Sequence, residues 1–338
     1  MRSKKIRPKE SAKLRSPTTP RTDRSSKGRG LDPQVPGFVD LRRGHDMRMT
    51  SPLHRLPTSI VGRFGPQLDT VADRVGPIAE RLGTGPFKDL LSGTWLGHPL
   101  HPVLTDVTIG AWTSAGMLDV VGGERSAHAA RRLIGLGVLS AGPTALAGWS
   151  DWADTEGDDR RAGVAHALGN TAAIVAFGLS WAARRRGRRG LGVALSTVGT
   201  GIASATAYIG GHLVYSRGVG VDVTAFDRLP ARPNAVMSAD DLKVDTPTVV
   251  DVGGVPVFLL RRGDQVFALH NRCTHRGGPL HKGKLDGDTI ECPWHGSCFR
   301  VTDGELTRGP ATAPQPVYSA RIVDGKVEVS RVRKELSS

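Results

Sequence analysis

Two cysteine–histidine pairs late in the chain are the residues whose types and spacing could do chemistry. One reads Cys273-Thr-His275 and the other Cys292-Pro-Trp-His295, and sixteen residues separate them. Thiolates and imidazoles are ligands for transition metals, and two of each can serve one metal ion or two. A structural zinc site with this ligand set ordinarily pairs Cys with Cys and His with His along the chain. One Cys and one His in each loop instead favours a two-iron cluster, with zinc or a metal-free loop pair as the alternatives.

Glycines follow both pairs, and one cysteine is left over. Gly277 and Gly296 let the loops turn tightly and aim backbone amides at sulfur, so we expect them beside the metal centre without binding it. Cys298 has no partner once each loop has used one thiol, which excludes a structural disulfide if the cluster forms. We predict a buried loop thiol at Cys298, with a redox role as the alternative.

Segments with a period of two and many β-branched residues surround the two loops, and Gly-Asp and Asp-Gly turns separate them. This pattern predicts a small all-β domain over residues 236–332. The predicted strands are residues 248–252, 255–260, 265–269, 317–322 and 326–330.

With these motifs and strands, residues 236–332 resemble a Rieske 2Fe–2S domain, a β-sandwich whose cluster lies at its tip between two loops. The resemblance implies one cluster per chain. It also implies that Cys273 and Cys292 hold the inner iron, whereas His275 and His295 hold the outer iron near solvent.

Some positions differ from the Rieske proteins of respiratory cytochrome bc complexes. Those proteins carry a disulfide where this chain has Gly278 and Trp294, and a tyrosine where it has Phe299. Ser297 remains at the position that hydrogen-bonds a bridging sulfide in those proteins. The domain is thus more similar to Rieske-type ferredoxins and to the Rieske domains of ring-hydroxylating oxygenases. Since only a few residues follow it, we expect no oxygenase catalytic domain with a mononuclear iron site.

Four apolar stretches precede the β domain, at residues 102–122, 133–149, 164–183 and 191–215. Each is about long enough to cross the hydrocarbon of a bilayer, and small residues recur in them. Residues 164–183 and 191–213 contain no Asp, Glu, Lys or Arg, whereas a soluble four-helix bundle would show a charged outer stripe. The pattern predicts a multi-pass protein of the cell membrane, with a four-helix domain over 67–215 that opens with an amphipathic helix.

The charges around the spans do not decide on which side of the membrane the two termini lie. Arginine-rich turns follow the first and third spans and favour a cytoplasmic position for both turns, which places the termini outside. The basic amino terminus would then have to cross without a signal. An even number of spans keeps the two termini on one side in either case.

The motif Gly97-His-Pro-Leu-His-Pro102 stands before the first span. It resembles the opening of a bacterial four-helix membrane domain of unknown function, over about residues 67–215, and this resemblance implies no activity. Histidines lie in or at the ends of the spans, and two facing imidazoles could hold a b-type haem. Polar contacts between helices are the alternative role for these histidines, which are His98, His101, His166 and His212.

The chain carries a formal net charge of +14, and residues 1–66 hold most of the excess. This segment lacks apolar periodicity and a secretory apolar core, so we expect a disordered tail that lies on anionic lipid headgroups. No aromatic residues are interleaved for base stacking, so no nucleic acid is expected. Residues 216–235 read as a linker and 333–338 as a short tail.

Taken together, the sequence predicts an α + β multidomain protein. A four-helix transmembrane bundle lies in the lipid bilayer and precedes a Rieske sandwich that transfers single electrons between redox partner proteins. One alternative is a complete membrane oxidoreductase with a haem or quinone in the helices. Another is an iron–sulfur redox sensor that binds a partner.

Overall fold

The computed structural model describes residues 52–81 and 85–332. The disorder predicted for residues 1–51 and the tail at 333–338 lie outside this part of the chain. Within it, six α-helices precede the β domain. They are α1 (Pro52–Glu80), α2 (Pro86–Ser92), α3 (Leu100–Val121), α4 (Ala127–Trp152), α5 (Gly157–Arg185) and α6 (Arg189–Gly211).

Helix α1 begins at Pro52, not near Gln67, so the end of the predicted disordered tail is helical. Its three internal prolines each remove a backbone donor and disfavour a helix locally, which hides the element in the sequence. Packing compensates for this loss, because Leu68 and Ala72 are buried against Val164 of α5.

The four long helices form two hairpins that repeat one arrangement. In the first hairpin, His101 and Trp112 of α3 lie against glycines of α4. In the second, His166 and Phe177 occupy the corresponding places on α5 and lie against glycines of α6. The Trp112 and Phe177 rings stack at 4.0 Å and join the hairpins inside one buried cluster. Glycine on the facing helix is required at these places, because a Cβ there would overlap the ring.

In the described part of the chain, three helical segments are long and apolar enough to cross a membrane: Gly123–Trp152, Gly157–Arg185 and Arg189–Ser216. The predicted count of four spans is therefore too high by this measure. Helix α3 is not among the three; it carries two carboxylates, Asp106 and Asp119, and several hydroxyl side chains. The argument that both termini share one side of the membrane loses its basis with this count.

Among the described residues, the β domain contains two antiparallel sheets. The larger has the strand order β1-β10-β9-β4-β3-β2 and the smaller β5-β6-β7-β8. The larger sheet comprises β1 (Asn234–Ser238), β2 (Thr248–Val252), β3 (Val255–Arg262), β4 (Gln265–His270), β9 (Val317–Val323) and β10 (Lys326–Arg331). The smaller comprises β5 (Lys284–Asp286), β6 (Thr289–Glu291), β7 (Cys298–Arg300) and β8 (Leu306–Arg308).

The five predicted strands correspond to β2, β3, β4, β9 and β10. Burial alternates in β10, where Val327 and Val329 are buried, whereas Val255–Leu260 of β3 are all buried. The strands of the smaller sheet have three residues each, too short to show a period of two. This sheet carries the second cysteine–histidine loop between β6 and β7.

We expect the full chain to need detergent for extraction from membranes, because three of its helices expose apolar side chains along lengths that match a bilayer. Washing membranes with alkaline carbonate or high salt, followed by immunoblotting of both fractions, checks this. Release of the full-length chain by either wash would contradict membrane anchoring.

Candidate metal centre

The two cysteine–histidine loops fold into the same turn. In the first, Cys273 accepts from the N–H of Gly277 (2.8 Å) and donates its own N–H to the carbonyl of Gly278 (2.9 Å). In the second, Cys292 accepts from Gly296 (3.1 Å) and donates to Ser297 (2.8 Å). Both turns need a residue at positive φ, which glycine provides, with φ of 81° at Gly277 and 76° at Gly296.

These turns point backbone donors at the cysteine sulfurs. The N–H groups of His275 and Arg276 face Cys273, and those of Trp294 and His295 face Cys292. Both cysteines are buried, in an apolar cluster shared with residues such as Leu280 and Phe299. The loops thus hold two sulfurs in a dry environment surrounded by amide donors.

The two thiols contact each other across the loops. Hydrogen bonding to Cys292, together with burial, raises the pKa of Cys273, whereas hydrogen bonding to Cys273 lowers the pKa of Cys292. The two thiols therefore share one hydrogen bond. Two thiols placed side by side in this way suit a cation that replaces the proton, since metals bind the thiolate form.

The two histidines also meet. The His275 and His295 ring centroids are 5.1 Å apart with the planes at 88°. Burial lowers the pKa of both imidazoles, which keeps them neutral, as ligands must be. The Nδ1 atom of His275 is buried and has no hydrogen-bond partner among the described residues. A buried nitrogen lone pair without a donor, beside two thiols, fits a metal-bound atom.

The donor set therefore forms two pairs, one of sulfur and one of nitrogen. Two sulfur ligands beside two nitrogen ligands match a binuclear iron cluster.

Ser297 and Cys298 lie beside these pairs. Ser297 is fully buried, and its Oγ accepts the N–H of Ala311 (3.0 Å). Cys298 begins β7, and its Sγ lies 3.4 Å from the carbonyl of Gly296. Burial raises the pKa of the Cys298 thiol, which makes it a poor nucleophile.

The histidine edge of the loops is covered by the helical domain, which the sequence did not lead us to expect. Nε2 of His275 lies 3.7 Å from a carboxylate oxygen of Asp154, in the α4–α5 connection. Lys88 of α2 is buried and forms an ion pair with Asp154 at 2.8 Å, and it donates to the carbonyl of Ser150. The expectation that both imidazoles face solvent is therefore wrong for His275.

Two further contacts hold the loops against the helices. The half-buried Arg276 guanidinium lies near an acidic group that comprises Asp151, Asp154, Glu156 and Asp159. Thr94, between α2 and α3, donates its hydroxyl to the carbonyl of Ala311 (3.0 Å). The one sequence signal for this interface is a run of five acids at residues 151–159 in a strongly basic chain.

Family comparisons agree with the two-part architecture. A model of the Rieske [2Fe-2S] domain matches residues 232–319, and one described as a predicted membrane protein (DUF2231) matches residues 97–223. The chain belongs to the Rieske family through its β domain, and this domain is joined to a predicted membrane domain. The predicted fusion is thereby confirmed, and a 2Fe–2S cluster is the cofactor that a Rieske domain holds.

Two curated relatives are covered over most of their length. Ferredoxin CarAc of Metapseudomonas resinovorans is 39% identical over 100 residues, which are 29% of this chain and 94% of that protein. The anthranilate 1,2-dioxygenase ferredoxin subunit of Burkholderia cepacia is 36% identical, over 27% of this chain and 84% of the subunit. A solved ferredoxin of carbazole 1,9a-dioxygenase from Nocardioides aromaticivorans IC177 is 33% identical, over 30% of this chain and 98% of that one, with a TM-score of 0.29.

Replacing Cys273 or Cys292 with Ser should reduce the iron content from about two per chain to nearly none, because thiolates hold the inner iron of such clusters. Cys298→Ser is the matched control and should keep its iron, since its sulfur faces a backbone carbonyl. Iron analysis and EPR of the purified full chain measure this. Loss of iron in Cys298→Ser alone would contradict the assignment.

Proposed function

We propose that this protein is a membrane-anchored Rieske-type carrier of single electrons. Cys273 and Cys292 would bind one iron of the 2Fe–2S cluster, and His275 and His295 the other. The observation that carries the proposal is the meeting of two thiols and two imidazoles between loops of identical geometry, with the buried Nδ1 of His275 lacking a donor.

The cluster, when bound, accepts and releases one electron. The chain's own groups set how readily this happens. Backbone N–H groups of His275, Arg276, Trp294 and His295 face sulfur and stabilise the added negative charge. The apolar cluster around the cysteines excludes water, which strengthens these interactions because the local dielectric constant is low.

The relatives support the carrier role. Two of them are named as ferredoxins or ferredoxin subunits, and this chain covers most of their length. We infer that the β domain performs the same kind of electron transfer with redox partner proteins. Ser297, Gly277 and Gly296 would support the cluster by shaping the loops without binding iron.

The helical domain would place this carrier at the cell membrane. Three helices long and apolar enough to span a bilayer, and membership of a predicted membrane family, support a multi-pass anchor. The basic residues that precede α1 would add attraction to anionic lipid headgroups. Electron donors and acceptors would then act at the membrane surface.

A complete membrane oxidoreductase is the second candidate function, and one observation favours it. A cluster ligand, His275, faces Asp154 of the helical domain at 3.7 Å. A carrier that served only soluble proteins would gain nothing from covering this edge. In the second candidate, electrons would pass between the cluster and a cofactor in the helices.

The midpoint potential of the cluster should lie in the lower part of the Rieske range, which spans about −150 to +300 mV. The tyrosine hydroxyl and the loop disulfide of the respiratory proteins are absent, since Phe299, Gly278 and Trp294 occupy those positions. Voltammetry or EPR-monitored titration of the detergent-purified chain measures the potential, with Cys273→Ser as the cluster-free control. A midpoint near the top of the range would contradict the ferredoxin-like function.

Two substitutions at the interface should shift this potential in opposite directions. Asp154→Asn removes a negative charge beside His275 and should raise the midpoint by tens of millivolts, because the reduced cluster is then less repelled. Lys88→Met removes the positive partner and should lower it. EPR-monitored titration of both variants tests the pair. Equal shifts of the same sign would show that the two residues act only by altering the loop structure.

A further inference from the structure

Two half-buried histidines from different hairpins meet in the helical domain. His101 lies in the first turn of α3, and His166 lies on α5. Their ring centroids are 6.4 Å apart, and the ring planes make an angle of 80°. The other two histidines of the predicted set are placed elsewhere, since His98 is exposed before α3 and His212 follows α6.

The two imidazoles are oriented in the same way. Nδ1 of His101 lies 2.9 Å from the carbonyl of Thr144 on α4, and Nδ1 of His166 lies 2.8 Å from the carbonyl of Thr206 on α6. A carbonyl only accepts, so each Nδ1 carries the proton and each Nε2 presents a lone pair. This is the tautomer, and the supporting hydrogen bond, that metal-binding histidines use.

A glycine lies against each ring, four residues after each threonine. A Cβ on Gly148 would come within 2.8 Å of the His101 ring, and one on Gly210 within 2.9 Å of the His166 ring. Thr144 and Gly148 in the first hairpin, and Thr206 and Gly210 in the second, thus have the same spacing and the same relation to the histidine. The same local arrangement is present in both hairpins, and each hairpin contributes one oriented nitrogen lone pair.

The described contacts do not supply enough donors for these lone pairs. The Asn170 amide lies 3.0 Å from Nε2 of His166, and its oxygen accepts the hydroxyl of Thr206 (2.8 Å). Nε2 of His101 has no hydrogen bond among the described residues. Polar contact between helices explains the two Nδ1 atoms, but it leaves this second nitrogen without a hydrogen bond in the described part of the chain. A Lewis acid would use both.

We propose that His101 and His166 are the axial ligands of a b-type haem held between the two hairpins. A bond of about 2 Å from each nitrogen to a central metal places the centroids of two opposed imidazoles about 6 Å apart, close to the observed separation. Bundle cores are common sites for such cofactors, built from side chains on facing helices. On loading, the Asn170 amide leaves Nε2 of His166 to the iron.

The haem site lies at the end of the bundle that carries the cluster loops. Gly148, beside His101, is two residues from Ser150, whose carbonyl accepts from Lys88. Lys88 in turn holds Asp154 against His275. One electron leaving the reduced cluster would convert ferric haem to ferrous haem. This transfer rests on the proposed function, whereas haem binding does not.

Haem binding is tested on the full chain, expressed with a haem precursor and purified in detergent, or supplied with hemin afterwards. We expect a Soret band and about one haem per chain by pyridine haemochrome assay. Because the imidazole planes are nearly perpendicular, the ferric form should give a strongly anisotropic low-spin EPR signal. Absence of haem by both routes would overturn the proposal.

Ligand variants separate a haem site from a structural pair. His101→Ala and His166→Ala should each lower haem content at least tenfold, whereas the exposed His98→Ala is the matched control and should retain it. His166→Met should keep haem with an altered spectrum and a higher haem potential, which a merely structural role would not produce. Full haem content in both alanine variants would contradict the assignment.

The cluster provides an independent control in the same samples. The cluster EPR signal in His101→Ala should be unchanged, which shows that the chain remains folded. Cys273→Ser should lose the cluster and keep the haem. Loss of haem there would show that the site depends on the cluster and would overturn the inference, while leaving the electron-carrier function in place.

Discussion

The contact of Asp154 with His275 relates the two halves of this molecule, and a buried ion pair with Lys88, within the helical domain, holds the Asp154 carboxylate. Two charges removed from water cost several kcal/mol each, and mutual attraction offsets this only with good geometry and further partners. Here Lys88 also donates to the Ser150 carbonyl, and Asp154 faces His275. Such a pair adds little net stability, but removing one member leaves a buried charge at a cost of about 3–5 kcal/mol. The pair therefore fixes the position of the carboxylate that faces His275.

The cluster loops show how a small sheet can do demanding chemistry. Each loop closes through two backbone hydrogen bonds and one glycine at positive φ, so its amides point inward without strain on other residues. The sulfur atoms lie in the apolar cluster, whereas the imidazoles lie at the edge that meets the helices. The two cysteines and the two histidines thus have different surroundings.

Features that are encoded in short stretches of sequence could be predicted, whereas features that depend on contacts between distant residues could not. The Cys273 and Cys292 loops and five strands were visible, because metal-ligand spacing and a period of two are local signals. The start of α1 was missed, since its prolines mask a helix that tertiary packing stabilises. The contact of His275 with Asp154 was also missed, because residues more than a hundred positions apart meet only through the fold. The histidines of the helices were visible as candidates, but their pairing required the hairpin geometry.

At one pair of corresponding positions, the two hairpins carry side chains of opposite charge. Asp119 on α3 corresponds to Arg184 on α5, each eighteen residues after its histidine, and the two side chains form a buried bidentate pair. Two copies of the first hairpin would oppose carboxylates here, and two copies of the second would oppose guanidinium groups. Like charges in an apolar core repel strongly. The first hairpin is therefore complementary in charge to the second, whereas two copies of the same hairpin would bring like charges together. This disfavours pairing between identical hairpins of different chains in one membrane.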